Sequence, residues 1–281
     1  MIKLIMIDMD GTLFNDQKTY DQERFDQVVK TLTDQGVIVT IATGNTDALV
    51  KREISHASYQ RLHLAVTNGN LTKNIHQIIN VFSIDRPLLE EVHQYILDHQ
   101  YPFSMIAITE QHDYKILNFV PENNEIDFYF PEAISLEEIK QIPADEDIIM
   151  LEIFAHGLSL EEIKRISQEV TQQFTQLTSV SAGDQWLDIY HQEGGKGTAA
   201  KILQDYYEIK ADESMAFGDS LNDQSMMENV HYSMAMANAD PDLLPSCNYQ
   251  IGDNNEQAVI QILEEIANGQ TNFEDYRLKR S

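Results

Sequence analysis

The first dozen residues constrain the fold more than any other stretch of the chain. An apolar run over residues 4–7 ends abruptly in Asp8, and a second carboxylate follows at Asp10. So short a run, closed by Asp and Gly, is typical of a strand buried on both faces in a parallel sheet covered by helices. If the strand continued, Asp8 and Asp10 would point the same way, and their charges would require a cation, a shared proton or a division of labour. A turn in which both carboxylates accept hydrogen bonds from backbone N–H groups is the alternative.

The strand-and-helix pattern continues beyond this stretch. A capping box of Thr19 and Gln22 predicts a helix that ends at Gly36, and residues 37–42 and 64–67 predict two more buried strands. Each strand–helix–strand unit implies a right-handed parallel crossover. The pattern returns near the C-terminus in three predicted elements: a helix over 197–207 and strands over 215–217 and 232–236.

The intervening residues have a different character. They mix short predicted strands (104–109, 114–120 and 186–190) with predicted helices (87–99 and one that begins at Ser159). This mixture favours a separate α+β unit with an antiparallel sheet. We therefore predict an α/β protein with a doubly wound, Rossmann-like parallel-sheet core over 1–82 and 191–281 and an inserted α+β cap over 83–190. The polar tail, 268–281, is predicted to be loosely packed.

Composition excludes several function classes. The 281 residues carry 19 Lys and Arg against 46 Asp and Glu, for a formal charge of −27, which argues against nucleic acid or an anionic membrane as partner. The lone Cys247 rules out an intramolecular disulfide and a cysteine-rich metal site. No apolar stretch approaches the roughly 20 residues of a membrane helix, and no signal peptide is visible. A soluble, cytoplasmic protein is expected, and the sequence carries no signal for an oligomeric state.

Polar residues with complementary chemistry follow several predicted core strands or enter a core helix: Asp8, Asp10, Thr43, Gly44, Lys196, Asp219 and Asp223. Converging carboxylates suit Mg²⁺, which prefers hard oxygen ligands. A hydroxyl, backbone N–H groups and a lysine suit a phosphate. Together they indicate phosphoryl transfer. Taken singly, Thr43 could be a helix N-cap, Lys196 a solvated loop lysine, and the last two aspartates an Asx-turn with a helix cap.

In sequence order these stretches resemble the four motifs of the haloacid dehalogenase superfamily. The matching segments are 8–12, 43–44, 195–197 and 218–223. Within that superfamily the chain resembles the Cof-type phosphatases, whose large C2-type cap is inserted after the third core strand. The motif match extends over both core segments, whereas the cap is recognised by its place and length.

The resemblance implies a role for each matching residue. Asp8 would be the nucleophile that forms an aspartyl-phosphate, and Asp10 the general acid and base. Mg²⁺ would be held by Asp8, Asp219 and the backbone carbonyl of Asp10, while Asp223 would act on the metal's water shell or fix Lys196. The phosphate-binding residues would be Thr43, Gly44, Lys196 and Asn222. The implied substrate is a small phosphorylated metabolite.

The same site residues also suit two functions other than a phosphatase, and the chain departs from the family pattern at two positions. A phosphomutase would use the same nucleophile, and a phosphoacceptor or binding module would keep the site without turnover. The chain has Asn45 where members commonly have Arg, and Ala237 where they often have Gly. Neither departure is expected to touch a residue with a chemical role.

Overall fold

The computed structural model describes residues 1–116, 124–182 and 185–279. The chain divides into two compact units. One consists of Met1–Asn80 together with Gly195–Ser281, and the other is Val81–Gly194. We call them the core unit and the inserted unit.

The core unit is built on a sheet that has eight strands within the described residues. In spatial order the strands are Tyr249–Gln250, Tyr232–Ala235, Ser214–Gly218, Leu4–Ile7, Ile38–Ala42, His63–Val66, Leu71–Lys73 and Ile78–Val81. The first six pair in parallel, and Leu71–Lys73 runs antiparallel to His63–Val66. Leu4–Ile7 lies between Ile38–Ala42 and Ser214–Gly218, so the strand order reverses there. In doubly wound sheets ligands bind at the carboxyl end of such a switch point.

The core helices are Gln22–Asp34, Asp47–Glu53, His56–Tyr59, Lys196–Tyr206, Gln224–Met227 and Ala258–Ala267. The first one buries Phe25, Val28, Val29 and Leu32, as its 3.6-residue spacing predicts. The predicted capping box of Thr19 and Gln22 is wrong. Asp21 is the N-cap instead, and its carboxylate accepts a 3.2 Å hydrogen bond from the backbone N–H of Arg24.

The inserted unit holds a separate, mostly antiparallel sheet. Its six strands within the described residues are, in spatial order, Leu177–Ala182, Trp186–His191, Ile148–Ala155, Phe103–Thr109, Asp113–Ile116 and Ile134–Leu136. Its helices are Arg86–His99, Asn124–Tyr129 and Leu160–Gln173. The two longer helices share an apolar cluster with one face of the sheet. A second cluster, which we call the aromatic cluster, lies on the other face and consists of Ile106, Ile108, Ile126, Phe130, Met150, Phe154, Trp186 and Tyr190. Residues 117–120 of a predicted strand lie outside the described residues.

Two expectations for less regular segments need correction. The central strand of the inserted unit, Ile148–Ala155, was not among the predicted strands. The C-terminal tail is not loosely packed throughout: Phe273 is 2% exposed and meets Tyr232 edge-on. Leu278 donates a 3.0 Å backbone hydrogen bond to Asn248. The predicted fold class, a doubly wound parallel-sheet core with a separate α+β unit, is confirmed.

Candidate active site

Asp8 and Lys196 form the buried centre of the site. Asp8 comes directly after the strand Leu4–Ile7, and Lys196 begins the helix Lys196–Tyr206. The ammonium of Lys196, in a residue only 1% exposed, lies 2.7 Å from Oδ1 of Asp8 and 2.6 Å from Oδ1 of Asp223. Burial lowers the pKa of Lys196, but the nearby charges of Asp223 and Asp8 raise it by more. The pKa of Lys196 therefore lies above its ordinary value. Lys196 is thus buried and paired with two carboxylates, which excludes the alternative of a solvated loop lysine.

A second carboxylate approaches Asp8 from the neighbouring strand. Asp219 follows Ser214–Gly218, and its Oδ1 accepts a 3.0 Å hydrogen bond from the hydroxyl of Thr12. Burial, reinforced by Asp223, raises the pKa of Asp219 to about 6. Gly11 makes room for this carboxylate. Its φ is +76°, and a Cβ at this position would lie 2.4 Å from Oδ2 of Asp219.

Asp223 holds other site groups in place. Its Oδ2 accepts hydrogen bonds from the backbone N–H groups of Asp219, at 3.0 Å, and Ser220, at 3.2 Å. Its Oδ1 receives Lys196. The contact with Lys196 is the one that the first of its expected roles, fixing Lys196, requires.

The donor set fits a divalent cation. One carboxylate oxygen from each of Asp8, Asp219 and Asp223 lies within 4.8 Å of the others. Burial, followed by the charges of Asp223 and Asp219, raises the pKa of Asp8 well above its ordinary value even though Lys196 lowers it. Negative charge thus exceeds what one ammonium compensates. Hard oxygen ligands in excess of local positive charge suit Mg²⁺.

Thr43 and Gly44 share this edge of the sheet. They follow Ile38–Ala42, whose Ile41 pairs with Ile7. The helix that comes next is capped by Thr46, so the N-cap alternative for Thr43 does not hold. Instead, the hydroxyl of Thr43 accepts a 3.2 Å hydrogen bond from the backbone N–H of Asn45.

Asn222 is the most exposed of the predicted phosphate-binding residues. It lies in the 3₁₀ turn Leu221–Asp223, and its side-chain oxygen accepts a 2.7 Å hydrogen bond from the hydroxyl of Ser220. The turn places it one residue before the buried Asp223.

Asp10 has two neighbours that sequence reasoning missed. Its Oδ1 lies 2.5 Å from Nζ of Lys18, and its Oδ2 accepts a 3.0 Å hydrogen bond from Nδ2 of Asn45. Asn45 therefore contacts Asp10, the residue expected to act as general acid and base, although the departure at Asn45 was expected to touch no residue with a chemical role. The departure itself was the available signal for Asn45, whereas nothing in the sequence singled out Lys18.

Comparison with known proteins identifies the family. A profile of haloacid dehalogenase-like hydrolases matches residues 5–263. The chain belongs to the haloacid dehalogenase-like hydrolases. YxeH of Bacillus subtilis (strain 168) is 28% identical, with 95% of this chain and 98% of YxeH covered. The 5-amino-6-(5-phospho-D-ribitylamino)uracil phosphatase YwtE of the same strain is 25% identical, covering 96% of this chain and 99% of YwtE.

A solved structure has a similar fold over nearly the whole length of this hydrolase. SMU.1108c from Streptococcus mutans UA159 superposes with a TM-score of 0.85 at 25% identity, covering 96% of this chain and all of the other. The predicted family is confirmed, and so is the predicted enzyme class, a phosphatase of this family. Among the described residues no helix is long and apolar enough to cross a membrane.

Proposed function

We propose that this hydrolase is a Mg²⁺-dependent phosphatase that acts on small phosphorylated metabolites through an aspartyl-phosphate on Asp8. The observation that carries the proposal is the buried Asp8 carboxylate, which Lys196 holds beside Asp219 at the switch point of the sheet. In this proposal the core segments 1–82 and 191–281 carry the chemistry. Residues 83–190 set the substrate preference.

The first half-reaction transfers the phosphoryl group to Asp8. A carboxylate oxygen of Asp8 attacks the phosphorus, the ester P–O bond breaks, and the carboxyl group of Asp10 gives its proton to the leaving oxygen. Thr43, the backbone of Gly44, Lys196 and Asn222 bind the phosphoryl oxygens. Positioned donors of this kind stabilise the charge of the transition state.

The second half-reaction releases phosphate. Asp10, now a carboxylate, takes a proton from a water molecule, and the water oxygen attacks the phosphorus. The bond between the phosphorus and the Asp8 oxygen breaks, which restores both aspartates to their starting states. Lys196 stays bound to Asp8 and Asp223, so Asp8 keeps its place through both steps.

Asp8, Asp219 and the backbone carbonyl of Asp10 would hold Mg²⁺, with Asp223 beside them. The bound ion would neutralise phosphoryl charge during transfer. The same carboxylates would otherwise repel an anionic substrate. Lys196 is already paired with Asp8 and Asp223. Its single positive charge therefore cannot neutralise those two carboxylates and the phosphate of the substrate as well.

The substrate class is a phosphate monoester of a small metabolite. The relative YwtE is named for 5-amino-6-(5-phospho-D-ribitylamino)uracil, and so is YbjI of Escherichia coli (strain K12), which is 25% identical. That compound therefore belongs in a substrate screen of the purified protein, beside sugar phosphates, pyridoxal phosphate and flavin mononucleotide.

Two substitutions test the chemistry. Asp8→Asn and Asp10→Asn should each lower kcat for p-nitrophenyl phosphate by at least about 100-fold, because each removes a reacting group. Asp212→Asn, at an exposed position of the core unit, is the matched control. Near wild-type hydrolysis by either active-site variant would overturn the mechanism, as would activity that survives thorough chelation with EDTA.

The lifetime of the phosphorylated protein separates the rival functions. After a pulse of acetyl phosphate, a phosphatase should lose its aspartyl-phosphate within seconds and release inorganic phosphate. A label that persists for hours would instead indicate a phosphoacceptor module. Return of the label to a sugar phosphate would indicate a phosphomutase.

A further inference from the structure

The carboxylate of Asp10 is held from two sides by donors from two different loops. Lys18 contacts one oxygen and Asn45 the other. The side chain of Asp10 is 43% exposed, so without these partners it would be free to rotate in solvent. A general acid must lie within about 2.6–3.2 Å of the oxygen it protonates, and a displacement of about 1 Å can cost up to about 100-fold in rate.

Asn45 is a rigid donor. Its backbone N–H donates to the hydroxyl of Thr43 at 3.2 Å, and its carbonyl accepts a 2.9 Å hydrogen bond from the N–H of Thr67. The loop that carries Asn45 is thereby tied to the ends of two neighbouring strands. The amide group consequently reaches Asp10 from a fixed position.

Lys18 supplies charge from a tight turn. Its φ is +57°, in the left-handed region, and its N–H donates to the carbonyl of Asn15 at 2.9 Å. The side chain is 62% exposed. Exposed ion pairs contribute little to folding stability, so the contact between Lys18 and Asp10 matters chiefly for where the carboxylate lies.

We propose that Asn45 and Lys18 are positioning residues that hold the Asp10 carboxyl group in the orientation from which it protonates the leaving oxygen. The inference rests on the proposed function, since it assigns these residues to the acid step. The Asn45 amide is long enough to reach Asp10 and fixes it there.

A comparison of two leaving groups tests the proposal. An aryl phosphate such as p-nitrophenyl phosphate needs little protonation of its leaving oxygen, whereas an alkyl phosphate such as glycerol 2-phosphate depends on it. Because kcat also contains the second half-reaction, which the two substrates share, kcat/KM is the quantity compared. Asn45→Ala should lower kcat/KM for glycerol 2-phosphate about tenfold more than kcat/KM for p-nitrophenyl phosphate. Asp10→Asn should show the same selectivity more strongly. A structural defect would lower both rates alike.

Lys18→Gln is the second variant. Because the Lys18 side chain is exposed, this substitution removes no buried contact, and a loss of activity would not reflect unfolding. It should show the same selective loss on glycerol 2-phosphate. Lys30→Gln is its matched control, because Lys30 forms an exposed 2.5 Å ion pair with Asp34 on the first core helix. The control should leave both rates unchanged.

Non-additivity completes the test. Residues that act through Asp10 should add no further loss to an Asp10→Asn enzyme, so the Asn45→Ala and Asp10→Asn double variant should match Asp10→Asn alone. Equal losses on both substrates, or a further loss in the double variant, would overturn the positioning role while leaving the proposed function intact. A wild-type protein that hydrolyses neither ester would instead overturn the proposed function, and the positioning role with it.

Discussion

At the scale of single residues, Lys196 matters for both stability and chemistry. Lys196→Met removes the ammonium that lies between Asp8 and Asp223 and leaves two buried carboxylates without their partner. Breaking a buried ion pair in this way typically costs about 3–5 kcal/mol. We expect urea unfolding to show a loss of that size, together with loss of phosphatase activity.

Lys3→Met provides the matched control. Lys3 forms a 2.6 Å ion pair with Glu213, and the lysine side chain is half exposed. Such surface pairs contribute at most about 1 kcal/mol. If the two variants lost similar stability, the ion pairs of Lys196 would have no special weight in the fold.

Residues of the site differ in how far sequence could place them. Asp8 and Asp219 follow buried strands, so a rule about strand ends was enough to bring them together. The contacts of Asp10 with Lys18 and Asn45 join loops whose separation depends on the folded backbone. Neither hydrophobic periodicity nor a sequence motif indicates such a contact. Only the departure from the family pattern at Asn45 pointed to it.

At the scale of elements, the strand Ile148–Ala155 shows why a charge within an apolar run hides a strand. Glu152 interrupts the run and, by alternation, lies on the sheet face of the aromatic cluster. Asp188 is its direct neighbour on the adjacent strand. A partly buried carboxylate of this kind contradicts the usual hydrophobic pattern, so periodicity alone could not identify the element.

Glu152 should make the stability of the protein depend on pH. Burial, then Asp188 and Asp113, raises its pKa well above the ordinary value of 4.5. Between that value and the raised one, the folded state binds more protons than the unfolded state, so stability falls as pH rises. Glu152→Gln has no carboxyl group to ionise, so it removes this fall in stability. Its Tm should exceed that of the wild type by a few degrees at pH 7, and the gap should shrink toward pH 4.5.

Thermal melts between pH 4.5 and 7.5 measure the gap. Glu91→Gln is the control, because Glu91 is exposed on the helix Arg86–His99 and should give a difference that is small at every pH. A Glu152→Gln difference that stayed constant across the range would contradict the upward pKa shift.

At the scale of the whole molecule, the main feature is the excess of negative charge. The formal charge of −27 opposes compaction through self-repulsion, and the candidate site concentrates three of those carboxylates within 4.8 Å. Composition predicted the excess of negative charge but not its distribution. Nor did it predict that Phe273, within a polar tail, would pack into the core unit, since a single aromatic residue carries no periodic signal.

Two kinds of stabilisation by salt should therefore be separable. KCl screens the overall repulsion, whereas MgCl₂ at the same ionic strength should also bind the site and raise Tm further. A ligand at 100 times its Kd adds about 2.7 kcal/mol to the free energy of unfolding. Asp219→Asn should abolish the excess over KCl and keep the screening effect, while Asp212→Asn should retain both. Equal stabilisation of the wild type by the two salts, or an excess that survives in Asp219→Asn, would count against a metal site at these carboxylates.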